Sequence, residues 1–356
     1  MSQNTQDFIV PNSIDFIEFA VKDLKTAHTL YQNLGFTCLG TKQDKNACSE
    51  LWVQGDVRVV LTASDDKEHE AGRFVRAHGD GIMNIGIAVD DAKWVAQFLN
   101  QFNTGEHPCT QMRGLDGSTL GITTHNVYGD VKHLFFSGAS NGKPHIYSLF
   151  EEAKNQTITM GTYVQTLDHI TVNVEMGRMD HWANHYKKLF GMTEVRYFDI
   201  KTDRTGLYSR ALRTPNGKLT MPFNEPADAR SQIQEFLNTF RGPGIQHIAL
   251  HTVNIISTLK TYKQRGLSFL SVPDSYYDAV PTRVPNVAEN LDELKALNIL
   301  VDGSDKGYLL QIFTENLVGP FFYELIQRKG DQGFGDGNFK ALFESIERDQ
   351  MRRGVL

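Results

Sequence analysis

Four segments of the chain alternate apolar and polar residues as half-buried β-strands do. They begin near Ile14, Gly81, Leu167 and Gly244. Each is followed by a stretch with the apolar periodicity of an amphipathic helix and then by further strand-like segments. The pattern therefore predicts four units, each a strand, a helix and additional strands.

The four units form two copies of a larger repeat. Residues 14–21 line up with 167–174, residues 81–89 with 244–253, and residues 144–149 with 320–325. The apolar pattern lapses between the copies, in the polar stretch 152–162. We therefore expect two domains, residues 1–155 and 156–356.

A closing helix is predicted at the C-terminus, over residues 338–352. It follows a glycine-rich loop, residues 330–337, and Asn338 is the expected N-cap. Its apolar residues recur at the helical spacing i, i+3, i+4, i+7, namely Phe339, Leu342, Phe343 and Ile346. The segment is therefore expected to lay one apolar face on the second domain.

Composition narrows the class of partner. The 356 residues are 40% hydrophobic and 22% charged, which excludes collagen-like and extensively disordered chains. A net charge of −6 leaves no global basic surface for nucleic acid or an anionic membrane. A small molecule is the expected partner.

Cysteine usage and hydropathy indicate a compartment. Cys38, Cys48 and Cys109 are too few for a disulfide framework and include no Cys-x-x-Cys pair. We find neither a signal-peptide pattern nor a run of about 18 apolar residues. The sequence therefore predicts a cytoplasmic protein that neither spans nor binds a membrane.

Candidate metal ligands emerge when the two copies are compared. The aligned positions hold Phe16, Asn84 and Ser148 in the first copy, and His169, His247 and Glu324 in the second. Two imidazoles and one carboxylate from separate strands are the ligands of non-haem Fe(II) sites, and zinc hydrolases use the same set. Any one of these residues could be an ordinary polar residue, but burying a carboxylate in so apolar a strand is costly unless a cation compensates it.

Other histidine pairs make weaker candidates. His181 and His185 have the i, i+4 spacing of a helical zinc pair, but position 182 is Trp where the zinc motif has Glu, which favours a surface pair. His251 shares a strand face with His247, yet four strand residues separate them by roughly 13 Å. We therefore expect His251 to be structural.

Several motifs resemble the 4-hydroxyphenylpyruvate dioxygenase family of the vicinal oxygen chelate superfamily. The resemblance covers the whole chain in length and repeat order and is strongest from about Thr166 onward. The motifs are Leu167-Asp-His-Ile170, Asn224-Glu-Pro226, residues 244–250, residues 310–314, Phe322-Tyr-Glu324 and residues 333–348.

The resemblance implies an α+β fold of two tandem vicinal oxygen chelate domains. Each would be made of paired βαβββ units forming a half-open barrel, with the C-terminal helix closing the active site. His169, His247 and Glu324 would bind one Fe(II) per chain, and the first domain would bind no metal. The resemblance also implies a homodimer or homotetramer.

A substrate pocket is implied as well. Its aromatic wall would comprise Phe313, Phe322, Phe334 and Phe339. Its polar positions would be Ser209, Asn224, Gln232, Gln246 and Gln311, with Gln232 and Gln311 also assisting catalysis. Regular strand alternation puts Gln246 on the face opposite His247, which argues against a place in the pocket.

The implied reaction converts 4-hydroxyphenylpyruvate and O2 to homogentisate and CO2, in tyrosine and phenylalanine catabolism. The substrate's own 2-keto acid would chelate the iron, so no 2-oxoglutarate is needed. Hydroxymandelate synthase shares substrate and ligands but oxidises the benzylic carbon; it has Tyr where the ring-attacking enzymes have Phe, as Phe339 is here. A glyoxalase, an extradiol dioxygenase and a metal-free binding protein of the superfamily are further alternatives. The glycine-rich loop lacks the Gly-Lys-Ser/Thr ending of a phosphate-binding loop.

Overall fold

The computed structural model describes residues 7–102, 105–138, 143–152, 163–354 and 356. The expected domain boundary between residues 155 and 156 lies outside these ranges, so it stays a prediction. Among the described helices, none combines the length and apolarity needed to cross a membrane.

Within the described residues, the first half contains nine strands and three α-helices. The strands are β1 (Ser13–Ala20), β2 (Thr37–Gln43), β3 (Cys48–Gln54), β4 (Val57–Ala63), β5 (Gly81–Ala88), β6 (Thr110–Arg113), β7 (Thr119–Asn126), β8 (Lys132–Gly138) and β9 (Glu151–Glu152). The helices are α1 (Leu24–Asn33), α2 (Glu70–His78) and α3 (Ala92–Leu99), with short 3-10 segments at Asn100–Phe102 and His145–Leu149. The strands form one sheet in the order β6-β7-β8-β5-β1-β4-β3-β2-β9.

The described part of the second half contains eight strands and seven α-helices. The strands are β10 (Thr166–Asn173), β11 (Thr193–Lys201), β12 (Gly206–Arg213), β13 (Thr220–Pro226), β14 (Gly244–His251), β15 (Leu300–Ser304), β16 (Gly307–Phe313) and β17 (Phe322–Lys329). The helices are α4 (Met179–Phe190), α5 (Gln232–Phe240), α6 (Ile255–Gln264), α7 (Ser275–Asp278), α8 (Val280–Arg283), α9 (Leu291–Leu297) and α10 (Asp336–Arg352). The sheet order is β11-β12-β13-β10-β14-β17-β16-β15.

The two sheets repeat one topology. In the first sheet, β1 pairs antiparallel with β5. On their outer sides, β1 pairs parallel with β4 and β5 pairs parallel with β8. In the second, β10 and β14 form the antiparallel pair, flanked in parallel by β13 and β17. Each half therefore joins two units of strand, helix and three strands, which confirms the tandem α+β fold expected from the repeat.

One aligned position was assigned wrongly from the sequence. In the second sheet Ala249 lies beside Glu324, and the matching pair in the first sheet is Gly86 and Leu134. Leu134, not Ser148, is thus the counterpart of Glu324. In the first copy, the matching strand β8 ends at Gly138, before Pro144, which was the proline used to align the two copies. Ser148 therefore lies beyond that strand, in the 3-10 segment His145–Leu149.

Both central strand pairs carry the same two irregularities. In β10, Asp168 is an extra residue between Leu167 and His169, which face consecutive residues of β14. In β14, Gln246 is the extra residue, since Thr171 and Val172 face His247 and Ile245. The first sheet has equivalent register shifts at Asp15 and Met83. Such β-bulges redirect side chains and are frequent next to functional sites.

One apolar core joins the halves. A single cluster of buried side chains draws on both sheets. At its centre, the rings of Phe19 and Phe321 meet edge-to-face with centroids 5.0 Å apart. Nearby, the imidazole of His78 stacks on Phe240 at 4.6 Å and its Nδ1 contacts the Phe240 carbonyl oxygen at 3.0 Å. The halves therefore share their hydrophobic stabilisation.

Helix α10 closes the second sheet, as expected, but begins earlier than the sequence suggested. Its N-cap is Gly335, with φ 71°, so the prediction of Asn338 as N-cap was wrong. A side chain at position 335 would collide with the Gln311 amide, which explains the glycine. Asn338 is fully buried in the first turn, and Leu342 and Phe343 pack inward.

Candidate metal centre

Three neighbouring strands bring His169, His247 and Glu324 together. Glu324 Oε2 lies 3.4 Å from His169 Nε2 and 3.7 Å from His247 Nε2. The three possible ligand atoms lie within 4.8 Å of one another, and all three residues are buried. A buried carboxylate facing two imidazole nitrogens is a donor set that fits a divalent transition-metal ion.

Each bulge places an acceptor beside one of these imidazoles. His169 Nδ1 donates to Asp168 Oδ1 at 2.9 Å, and His247 Nδ1 donates to Gln246 Oε1 at 3.1 Å. Protonation at Nδ1 leaves the lone pair of Nε2 directed at the metal position. The bulge also explains why strand alternation misplaced Gln246, which contacts His247 instead of pointing away from it.

Asp168 is held in turn by Arg328 of β17. Arg328 Nε donates to Asp168 Oδ2 at 2.7 Å, and Nη2 donates to Oδ1 at 2.8 Å. Burial alone would raise the pKa of Asp168, but the hydrogen bonds from Arg328 and His169 hold it well below its ordinary value. Asp168 is therefore a fixed carboxylate behind the imidazole.

The two imidazoles differ in charge state. Burial lowers the pKa of both, and the protonatable His169 lowers that of His247 further. At His169 the negative charges of Glu324 and Asp168 outweigh burial and raise the pKa to about 9. Without metal, the pocket therefore holds a proton at His169, and a dication would replace it.

A small cavity of about 40 Å³ lies against the three candidate ligands. Six of the expected pocket residues line it: Ser209, Asn224, Gln311, Phe313, Phe334 and Phe339. Thr171, Phe198, Pro222 and Leu342 also line it and were missed from the sequence. Thr171 could have been found, because it lies two residues after His169 and so shares its strand face.

Three expected pocket residues face a different cavity. Gln232, Gln246 and Phe322 line a space of about 430 Å³ beside α5 and α10. The ring of Phe322 stacks on His247 with centroids 4.8 Å apart. Phe322 and Gln246 therefore line the large cavity while contacting His247, which lines the small one.

Several polar atoms in the walls of the two cavities make no hydrogen bond in the described part of the chain. Among the described residues, Thr171 Oγ1, Ser209 Oγ, Asn224 Oδ1 and Gln232 Oε1 are buried without a hydrogen-bond partner. Buried polar groups are normally satisfied. These atoms are therefore available to a polar ligand.

Gln311 connects a candidate ligand to α10. Its Nε2 donates to Glu324 Oε1 at 2.7 Å and to the Phe334 carbonyl oxygen at 3.3 Å. Its Oε1 accepts from Asn338 Nδ2 at 2.7 Å. The Gln311 amide thus orients the Glu324 carboxylate and is itself oriented by the first turn of α10.

The remaining histidines lie apart from this centre. His181 is exposed, whereas His185 is half-buried, with its Nε2 3.0 Å from His125 Nε2 of the first half. His185 therefore belongs to the contact between the halves and not to a surface pair. His251 is outside the cluster of His169, His247 and Glu324.

Comparison with protein families agrees with this architecture. Residues 9–149 match the family described as "Hydroxyphenylpyruvate dioxygenase, HPPD, N-terminal". Residues 166–280 match the "Glyoxalase/Bleomycin resistance protein/Dioxygenase superfamily". Fold and site together define a protein of two tandem vicinal oxygen chelate domains.

Full-length relatives give the particular family. A 4-hydroxyphenylpyruvate dioxygenase from Pseudomonas aeruginosa is 40% identical over 97% of this chain and 96% of its own. Protein MelA from Shewanella colwelliana is 40% identical over 96% of each chain, and hemolysin VllY from Vibrio vulnificus is 38% identical over 97% and 96%. The chain belongs to the 4-hydroxyphenylpyruvate dioxygenase family and is an enzyme of this type.

A solved structure shares the fold. A triple mutant of 4-hydroxymandelate synthase from Streptomyces coelicolor superposes with a TM-score of 0.81 at 26% identity. The match covers 96% of this chain and 100% of that chain. The two-domain architecture is therefore common to proteins named for different oxidations.

Proposed function

We propose that the protein is an Fe(II)-dependent dioxygenase that converts 4-hydroxyphenylpyruvate and O2 to homogentisate and CO2, in tyrosine and phenylalanine catabolism. The observation that carries the proposal is the buried group His169, His247 and Glu324 facing a cavity with both phenyl and unpartnered polar walls. The family membership supports the same substrate. No 2-oxoglutarate is required, because the substrate itself is a 2-keto acid.

His169, His247 and Glu324 would hold the iron from one side, with Asp168 and Gln246 fixing the imidazoles. When bound, Fe(II) supplies open positions for the keto acid and O2 and the redox chemistry of the reaction. One Fe(II) per chain is expected, because the first half offers Phe16, Asn84 and Leu134 at the matching positions.

Binding the substrate requires the cavity to enlarge. A volume of about 40 Å³ has room for only a few water molecules. We propose that the Phe322 ring moves and joins it to the adjacent space of about 430 Å³, while Gln246 stays bonded to His247. The amide of Gln232 then becomes part of the same pocket, in the polar and catalytic role that the family resemblance implies.

The substrate ring would lie among phenyl groups. Phe313, Phe334 and Phe339 line the cavity, and aromatic pairs prefer edge-to-face or offset contacts. The phenol hydroxyl would satisfy the buried oxygens of Ser209 and Asn224. Gln311 would keep Glu324 in place while α10 excludes water from the metal.

4-Hydroxymandelate synthesis is the second candidate, favoured by the structural similarity to the synthase from Streptomyces coelicolor. It uses the same substrate and would need the same ligands. Phe339 supports attack on the ring, since the resemblance associates Tyr with the benzylic reaction. Product analysis separates the two.

The experiment begins with Fe(II) and 4-hydroxyphenylpyruvate added to the protein without oxygen. A weak visible charge-transfer band is expected on chelation, followed by homogentisate after O2 is admitted. Glu324→Ala should show neither, whereas His251→Ala, outside the cluster, should resemble the wild type. Hydroxymandelate as product would establish the second candidate, and absence of both products would contradict the proposal.

We also propose a cytoplasmic homodimer or homotetramer, as the family resemblance implies. Light scattering coupled to size-exclusion chromatography measures the assembly directly, and a monomer would contradict this part.

A further inference from the structure

Arg328 makes two hydrogen bonds to the loop between β17 and α10, residues 330–335. Arg328 Nη1 donates to the carbonyl oxygens of Gly333 at 2.7 Å and of Asp331 at 3.2 Å. The Asp331 carboxylate also stabilises the loop. It accepts hydrogen bonds from the Gly333 amide at 2.5 Å and from Ser304 Oγ at 2.6 Å. We call residues 330–335 the gate loop, because they lead into α10.

The same guanidinium faces the metal centre on its other edge. Its Nε and Nη2 donate hydrogen bonds to the two carboxylate oxygens of Asp168. The Oδ1 atom of Asp168 also accepts a hydrogen bond from His169 Nδ1. The side chains of Arg328 and Asp168 are only 10% and 14% exposed. A planar guanidinium makes such bonds in fixed directions, so shifting one edge shifts the other.

We infer that Arg328 and Asp168 are positioning residues that couple closure of the gate loop to the metal ligand His169. With the loop closed, its carbonyls hold Arg328, Arg328 holds Asp168, and Asp168 holds the imidazole. With the loop open, Arg328 loses two acceptors and His169 loses its orientation. The inference rests on the proposed metal site but not on the proposed reaction.

Coupling of this kind is reciprocal by thermodynamic necessity. Metal binding fixes His169 and hence favours the closed gate loop, while a closed loop raises metal affinity. Phe334 belongs to the same loop, and its ring meets that of His169 edge-on at 5.7 Å. The closed gate loop therefore holds a ring as well as Arg328 against the side of a metal ligand.

Co(II) binding to the full-length metal-free protein tests the inference without turnover. Arg328→Lys keeps the positive charge but loses the paired hydrogen bonds of the guanidinium to Asp168. It should weaken Co(II) affinity about 10- to 100-fold, as the loss of other residues that orient metal ligands does. Asp331→Ala, which loosens only the loop, should weaken it less. In the double variant Arg328→Lys/Asp331→Ala, the loss of Co(II) affinity should not exceed the loss in Arg328→Lys alone, because both substitutions act through the same chain of contacts.

Arg213→Lys is the matched control. Arg213 also contacts the gate loop, donating to the Gln332 carbonyl oxygen at 3.4 Å and lying over Phe334, but it makes no bond to Asp168. Its Co(II) affinity should fall no further than that of Asp331→Ala, because the bonds between Arg328 and Asp168 stay intact. An unchanged affinity in Arg328→Lys, or additive losses in the double variant, would overturn the inference.

Hydrogen exchange gives an independent readout. Co(II) alone should slow exchange of the amides of residues 331–335 in the wild type but not in Arg328→Lys. If Arg328→Lys fails to fold, Asp168→Asn takes its place. This substitution keeps an acceptor for His169 but weakens the paired hydrogen bonds from Arg328. Equal metal-induced protection in wild type and variant would contradict the coupling. A wild type that binds Co(II) with the expected protection but makes no product would refute only the proposed reaction.

Discussion

The hydroxyl of Tyr31, in α1 of the first half, lies 2.7 Å from the hydroxyl of Tyr323, in β17 of the second. Both side chains are buried, and Tyr323 stands between Phe322 and Glu324 in the chain. The strand that carries Glu324 is thus bonded to the first half of the chain.

Removing one of these hydroxyls should destabilise the protein. Tyr31→Phe leaves the Tyr323 hydroxyl buried without its partner, at an expected cost of about 1–3 kcal/mol in the free energy of unfolding. The double variant with Tyr323→Phe should cost no more than either single one, as nothing is then left unpaired. Urea unfolding measures all three, and strictly additive losses would contradict a direct bond.

The purified protein should bind one divalent metal ion per chain. The first half has no ligand set at the matching positions, and the ring of Phe16 lies against Gly86 so closely that a β-carbon there would collide with it. Elemental analysis after Fe(II) loading and gel filtration gives the ratio. A value near two would mean that the first half binds metal after all.

His247→Ala should lose metal affinity by more than about 100-fold, and turnover with it, because one of three ligands is gone. The metal-free variant should lose at most about 3 kcal/mol in the free energy of unfolding, since the sheets remain. His251→Ala, four residues along the same strand, serves as control and should keep both metal and activity. Normal turnover in His247→Ala would exclude the proposed ligand set.

Stability should fall as the pH drops below about 6.5. Burial lowers the pKa of His133 to about 3, so the folded protein keeps it neutral while the unfolded chain protonates it. The unfolded state then binds more protons, and this group alone costs up to about 1.4 kcal/mol per pH unit below 6.5. Urea unfolding between pH 7 and 5 should show a shallower dependence of stability on pH for His133→Gln than for the wild type, and equal dependences would contradict this assignment.

A chelating analogue of a 2-keto acid should protect residues 333–348 from hydrogen exchange in the Fe(II) protein. The physical reason is that Asn338 and the Phe334 carbonyl are bonded to Gln311, which holds Glu324. Fixing the metal centre therefore fixes the first turn of α10. Equal exchange with and without the analogue would mean that α10 is static.

The succession of strands and helices along the chain and the candidate ligands could be predicted because duplication supplied two copies of one pattern. His169 and Phe16 occupy matching places in β10 and β1, as do His247 and Asn84 in β14 and β5. Ser148 was misassigned because loop lengths differ between the copies, and a short proline motif cannot reveal where the preceding strand ends.

The orienting residues could not be predicted, because they depend on departures from regular strand geometry. Alternation places consecutive residues on opposite faces. The bulges at Asp168 and Gln246 break this rule and bring each side chain against the histidine that follows it. Arg328 was missed for a simpler reason: its partner Asp168 lies 160 residues away in the sequence.

The bulge at Asp15 shows how a copied irregularity can acquire a second use. It occupies the place of the Asp168 bulge, but the Asp15 carboxylate accepts the backbone amides of His145 and Ile146, and the imidazole beside it, with Nδ1 at 3.6 Å, is that of His145 and not that of the residue that follows the bulge. The carboxylate at this bulge therefore anchors the chain of its own half. Substituting ligands at positions 16, 84 and 134 would therefore recreate the donors of the second half without the carboxylate that orients the imidazole from behind.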